Sequence, residues 1–311
     1  MGKKLFCIRR KPKRKRLIFS ISKKSAMISS PQEFISFYTE EENFLLINKY
    51  GKEIINNQLS CDYQIDPNYL SRMIISNELR RISLMWIYSI VLENNFDLDI
   101  YFLSVFIFDK YLDSSEENKS ISKEELKNIA FTSFFLSTKY DCIVPFNIEN
   151  NPLVNVAEIA TLEINILKTL NYSIKLNSSY YFIKFFFCDL KAKNKEQIRK
   201  LDIDKYITAM NRVAIAFAKL ITLDISFYSH SQSLIAIGCV IKGYDYIMSK
   251  SSTITKEKMN FLKEWITAIL NKKNNIFSHS NVKIILKDIE RYWNISCEDF
   301  SIIDESELYI E

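Results

Sequence analysis

An all-α protein is the fold class this sequence predicts, on three observations. Only 4 Gly and 5 Pro occur in 311 residues, too few to build the many tight turns of a sheet protein. Apolar residues recur at helical spacing over long runs, which gives helices one buried face each. Hydrophobic residues make up 48% of the chain and aromatic residues 14%, enough for a large core divided over two units of ordinary size.

Composition also narrows the function classes. The apolar stretch closest to membrane length, 180–188, is interrupted by Lys184, so no membrane span or membrane partner is expected. The first residues are charged and lack a secretory apolar region. Cys7, Cys61, Cys142, Cys188, Cys239 and Cys297 form no C-x-x-C pair, and His230 and His279 add no ligand spacing. No metal and no cofactor are therefore expected, and reduced intracellular thiols are the default reading. The net charge of +5 conceals an asymmetry. Eleven Lys and Arg and no acid lie in residues 1–24, leaving 31 basic against 37 acidic residues in the rest.

The elements follow in order. Residues 1–35 read as a disordered basic tail. Its densest part, Arg9-Arg10-Lys11-Pro12-Lys13-Arg14-Lys15-Arg16, suits a nuclear import signal. A solvated tail and direct nucleic-acid contact are the other readings, and sparse aromatic interleaving weakens the last. Met1-Gly2 is not a myristoylation start, because position 6 is Phe. Residues 41–50, with Phe44, Leu45, Leu46 and Ile47, form an amphipathic N-terminal helix. Ile65-Asp66-Pro67-Asn68-Tyr69-Leu70 is a turn leading into another helix, and Asn77 has N-cap chemistry before Leu79.

Five helices fit between 77 and 170. The first covers 77–93 and the second 99–113. The third starts at a capping box, Ser122 with Glu125, and runs to Tyr140. A loop with Pro145 and Pro152 has room for a short helix, and the last helix covers 155–170 with Ile159, Glu163, Ile166 and Leu170 in one stripe. A second group follows: 178–189, a periodic run from Ile203 to Ile221, then 231–248, 256–270 and 282–293. Ile129-Ala130-Phe131 with Lys139-Tyr140-Asp141 is echoed by Ile235-Ala236-Ile237 with Gly243-Tyr244-Asp245, which suggests two copies of one helical unit. Residues 296–311 hold six acids and no Lys or Arg and read as an acidic tail.

One residue organises the first group. Asp109 lies in Ile100-Tyr101-Phe102-Leu103-Ser104-Val105-Phe106-Ile107-Phe108-Asp109, a run apolar nearly all round. A carboxylate in such a helix is costly unless a cation pairs with it. Arg80, at the start of the preceding helix, is the candidate partner, and the pair would clamp two helices.

These motifs resemble the cyclin family, and within it the mitotic A/B type. Leu79-Arg80-Arg81-Ile82-Ser83-Leu84-Met85-Trp86-Ile87 is similar to the M-R-x-I-L-x-x-W-L that opens the first cyclin box. Asp109-Lys110-Tyr111-Leu112 is similar to D-R-F-L, and Ser137-Thr138-Lys139-Tyr140-Asp141-Cys142 with Pro145 to A-S-K-Y-E-E and its following Pro. Glu158-Ile159-Ala160-Thr161-Leu162-Glu163-Ile164-Asn165-Ile166-Leu167 is similar to E-I-x-x-M-E-x-x-I-L. In the second group, Tyr228-Ser229-His230-Ser231-Gln232-Ser233-Leu234-Ile235-Ala236 is similar to Y-x-P-S-x-I-A-A-A. The resemblance implies two tandem five-helix cyclin boxes with an extra N-terminal helix, the first over 36–175 and the second over 176–295.

The resemblance also implies a function. Cyclins are not enzymes. They bind a cyclin-dependent protein kinase in cell-cycle control, press on its αC helix, and bring the αC Glu to the catalytic Lys. Carried over, the kinase contact falls on Lys139 and Glu163, with Tyr140 and Ile166 beside them. From the residues alone, Lys139 and Glu163 read more readily as two ordinary surface charges, or as a pair satisfying each other. Arg80 and Asp109 align with the family's buried ion pair. Leu79, Ile82 and Trp86 align with its docking patch for R-x-L substrates or inhibitors, although Ser83 stands for Leu and Met85 for Asp, and all three also suit plain core packing. Arg14-Lys15-Arg16-Leu17 fits the first half of a destruction box. The implied location is nucleus, cytoplasm or both. The competing reading is a cyclin-fold transcription or nucleic-acid-binding factor. The acidic body and the lack of a zinc-ribbon Cys pattern count against it.

Overall fold

The structure, a computed structural model, describes residues 65–115, 121–142, 145–148, 155–174, 178–251, 254–271 and 279–295. The basic tail with Arg9, Arg10, Lys11, Lys13, Arg14, Lys15 and Arg16, the helix expected at 41–50 and the acidic tail from 296 lie outside these residues. So do most of the loop expected to hold a short helix and the junction at 175–177; the piece of that loop at 145–148 is not helical.

Among the described residues there are eleven α-helices, one short 3₁₀ helix and no strand. The first group is α1 (Tyr69–Arg72), α2 (Asn77–Glu93), α3 (Leu98–Asp113), α4 (Lys123–Asp141) and α5 (Val156–Thr169). The second is α6 (Ser179–Lys193), α7 (Lys195–Leu201), α8 (Asp204–Thr222), a 3₁₀ turn (Ile225–Ser229), α9 (Gln232–Lys250), α10 (Lys256–Asn271) and α11 (His279–Ile295).

Short polar side chains start most of these helices by accepting a bond from an N–H that the helix cannot satisfy itself. Asp97, Ser122, Asn155, Ser178 and Ser231 do so for α3, α4, α5, α6 and α9. At α2 the cap is Ser76 rather than Asn77. Ser76 has extended backbone and its Oγ accepts from Leu79 N at 3.2 Å, while Asn77 is already helical.

Helix α3 is the centre of the first group, buried on nearly every side from Ile100 to Asp109. Helix α4 packs along it, and α2 and α5 pack on α4. In the second group α8 and α9 are the tightest pair, with α6, α11 and α10 against α9. Gly243 permits the α8–α9 approach, since a Cβ there would meet Met210 O at 2.9 Å and Ala214 N at 3.3 Å. Helix α7 was not expected from the sequence. It is 7 residues long and buries only Ile198, so it leaves no apolar periodicity to read.

Candidate functional site

Arg80 sits in the first turns of α2 and Asp109 near the end of α3, with side chains only 1% and 0% exposed. Arg80 Nε donates to Asp109 Oδ1 at 2.9 Å and Nη2 to Oδ2 at 2.7 Å, a two-pronged bond. Two phenols complete the carboxylate. Tyr69 of α1 donates to Oδ1 and Tyr228 of the 3₁₀ turn to Oδ2, each at 2.5 Å. The third arm of Arg80, Nη1, donates to the Leu223 carbonyl at 3.2 Å. The Arg80–Asp109 pair thus gathers α1, α2 and α3 together with two points of the second helical group.

Burial, and then the Asp109 charge, hold both phenols well above the ordinary tyrosine range. Burial opposes the Arg80 charge, but Asp109 outweighs it and keeps the guanidinium protonated. Neither the phenols nor the guanidinium give up a proton near neutral pH, so the cluster is a structural joint rather than a chemical site. Tyr69 and Tyr228 were not assigned to it from sequence, because nothing in linear spacing ties residues 69 and 228 to 109. Nearby, Tyr101 and Thr222 share a hydrogen bond at 2.9 Å, and the buried Lys219 donates to Tyr88 at 3.0 Å, again joining the two groups.

A second ion pair has the opposite setting. Lys139, at the end of α4, reaches Glu163 on α5 with Nζ 2.6 Å from Oε1, the side chains 42% and 16% exposed. The ammonium also lies 4.7 Å from the centre of the Phe135 ring. Tyr140, the next residue, is half exposed. Ile166 is a correction. It was expected on the contact surface but is 0% exposed, because it lies on the α5 face turned into the core with Ile159.

Other apolar side chains take its place. The described residues expose seven large hydrophobic side chains, and four of them, Tyr140, Val156, Ile164 and Tyr172, lie on α4, α5 and the turn after α5. Val156, Ala160 and Ile164 are one turn apart on the outer face of α5. Tyr172 is 68% exposed with φ of 58°, next to Asn171 at 49°, and its N–H bonds the Leu167 carbonyl at 2.8 Å to close the helix. Left-handed backbone at a tyrosine costs about 1–2 kcal/mol. The sequence did carry a signal for this surface: α5 has apolar residues over too wide an arc for a single buried stripe.

The third set is Leu79, Ile82 and Trp86. All three are half-buried on α2, with Trp86 6.2 Å from Phe131 between ring centres. Ser83 is buried and bonds the Leu79 carbonyl at 3.0 Å, so it adds no apolar surface. Among the described residues no group of three or more His, Cys, Asp or Glu could hold a metal ion, and no helix is long and apolar enough to cross a membrane. Burial raises the Cys239 thiol and pushes Cys142 up to about 11, so neither is an activated nucleophile.

The family profile described as the cyclin N-terminal domain matches residues 53–175. That part of the chain is similar to a cyclin box. Curated relatives are of the A/B type: G2/mitotic-specific cyclin-B1 of Anguilla japonica is 26% identical over 139 residues, 42% of this chain and 34% of the relative. G2/mitotic-specific cyclin-A of Drosophila melanogaster is 24% identical over 166 residues, 50% of this chain and 33% of the relative. The match to the cyclin-B1 thus spans about a third of that relative's length. Among solved structures, a viral cyclin from herpesvirus saimiri aligns with a TM-score of 0.48 and 16% identity, covering 82% of this chain and 97% of that one. The residues matched by the cyclin N-terminal profile contain α1 to α5, and with them the Arg80–Asp109 joint and the Lys139–Glu163 pair.

Proposed function

We propose that this protein is the regulatory subunit of a cyclin-dependent protein kinase in cell-cycle control, with no catalysis of its own. It docks the kinase through Lys139, Glu163 and Tyr140, framed by Val156, Ile164 and Tyr172. The observation that carries this reading is the exposed ion pair set among four of the seven exposed large apolar side chains. Such a surface offers apolar area around a few oriented polar groups, the composition of an interface core. Bound there, the cyclin box presses the kinase αC helix into its active position. The A/B-type relatives support a mitotic role.

Two further assignments go with this reading. Leu79, Ile82 and Trp86 form a shallow docking patch for R-x-L substrates or inhibitors. With Met85 where the family has Asp, the basic residue of such a peptide loses an acidic partner, so binding is weak. The run Arg9 to Arg16 acts as a nuclear import signal.

The test is capture of kinases from the source cell's extract by the intact chain, beside Lys139→Ala/Glu163→Ala. The expected result is one kinase retained by wild type, active on a histone substrate, and lost by the double variant with unchanged helical circular dichroism. Equal retention by both would overturn the site, and retention of no kinase would overturn the function.

A further inference from the structure

The second helical group meets the first box along another line of contact, apart from Asp109. Tyr180 and Lys184 are one turn apart on α6. Tyr180 stacks on Phe102 of α3, with ring centres 5.0 Å apart and planes within 5°, and its hydroxyl donates to Asp97 Oδ1 at 3.3 Å. Lys184 Nζ donates to Asp99 Oδ2 at 2.6 Å and lies 5.1 Å from the centre of the Tyr180 ring. Asp97 is the cap of α3 and Asp99 lies in its first turn. Asp141 ends α4, and its carboxylate feels both Lys184 and Asp97. Two helix ends therefore aim three carboxylates at one ammonium.

That imbalance favours uptake of a proton. Burial pushes the Asp99 carboxyl up to about 6; Lys184 pulls it down, and Asp97 and Asp141 push it further up. Burial alone would lower Lys184, but Asp99 and Asp97 hold it above its ordinary value. The groups facing Asp99 and Lys184 are Asp97 from α3, Asp141 from α4 with Cys142 following it, and Tyr180 and Cys188 from α6. Tyr180 and Cys142 are both raised by burial and stay protonated near neutral pH, so neither competes for this proton.

We propose that the α3–α4–α6 junction is a proton-sensitive joint between the first box and the second helical group, with Asp99 as the group that takes the proton. The sign follows from the unfolded chain, where Asp99 titrates as an ordinary carboxylate. The folded form holds the proton more tightly, so the joint tightens as pH falls through 6 and loosens as Asp99 ionises. Uptake removes one of three like charges and leaves Lys184 to Asp97 and Asp141. This is the reverse of a surface salt bridge that acid breaks. The joint adjoins Lys139 and Tyr140 on α4, but the proposal does not depend on kinase binding.

The experiment is NMR titration of the Asp99 carboxyl in the full chain, with Lys184→Met alongside. A midpoint near 6, moving upward in Lys184→Met, is expected; a midpoint in the usual range near 4 would overturn the proposal. Amide exchange of α6 gives an independent reading. Asp99→Asn, a neutral stand-in for the protonated acid, should exchange about a hundredfold more slowly than wild type at pH 7.5, and only about tenfold more slowly at pH 5. Equal exchange at both values, or faster exchange in the variant, would overturn it. If Asp99→Asn does not fold, the wild-type and Lys184→Met midpoints decide alone.

Discussion

Two ion pairs in the same box, Arg80–Asp109 and Lys139–Glu163, have similar chemistry and opposite settings. Both join neighbouring helices with a short N–H to carboxylate bond, 2.7 Å in one and 2.6 Å in the other. The first is sealed from water and every oxygen of its carboxylate is used, by two nitrogens and two phenols. The second is half open, with Glu163 Oε1 held by Lys139. Burial decides what such a pair is for. A sealed pair cannot meet a partner, but its loss leaves an orphan charge in the core. An open pair adds little to the fold and can exchange its bonds for those of another protein.

The largest effect that breaks this contrast is expected at Asp109. Asp109→Asn leaves the buried Arg80 charge without its counter-ion and should cost about 3–5 kcal/mol, read from urea unfolding. A loss below about 1 kcal/mol would mean that water enters the cluster and that it is not sealed. Tyr228→Phe comes next. It removes one donor from a buried carboxylate, and a cost of about 1–3 kcal/mol is expected. Because Tyr228 belongs to the second helical group, its loss should also speed amide exchange along the seam at α8, while α4 keeps its protection. Uniform loss of protection would show that the joint stabilises the whole fold rather than the seam. Alkali sharpens the point: Tyr69 and Tyr228 titrate higher folded than unfolded, so the stability they supply persists at neutral pH and is lost as pH rises above about 10.

Much of this contrast was legible in the sequence. A carboxylate in a helix apolar on all sides needs a partner, and Arg80, at the start of the preceding helix, was the candidate cation. Helices α2, α3, α4 and α5 were legible because each carries a long apolar stripe and a polar cap. What escaped detection depended on distance along the chain or on solvent. Tyr69 and Tyr228 lie 40 and 119 residues from Asp109, and no local pattern links them to it. Ile166 was misplaced because a helical stripe does not say which of its apolar residues faces the core. Ile159 and Ile166 turned inward, while Val156 and Ile164, in the same helix, stayed outside. Helix α7 is too short and polar for periodicity to show it.

The smallest expected effect on stability lies at the open pair, and it tests the contrast most directly. Lys139→Ala should cost less than about 1 kcal/mol, since solvent screens a half-exposed ammonium and its loss leaves Glu163 able to turn to water. The small cost should shrink further in about 0.5 M salt, whereas the cost of Asp109→Asn should not, because a sealed pair is screened little. The two variants should therefore differ in salt dependence as well as in size. If Lys139→Ala proved as costly as Asp109→Asn and equally indifferent to salt, the α4–α5 pair would be a second structural joint. The apolar side chains around it would then be left without the exchangeable polar centre that a docking surface needs.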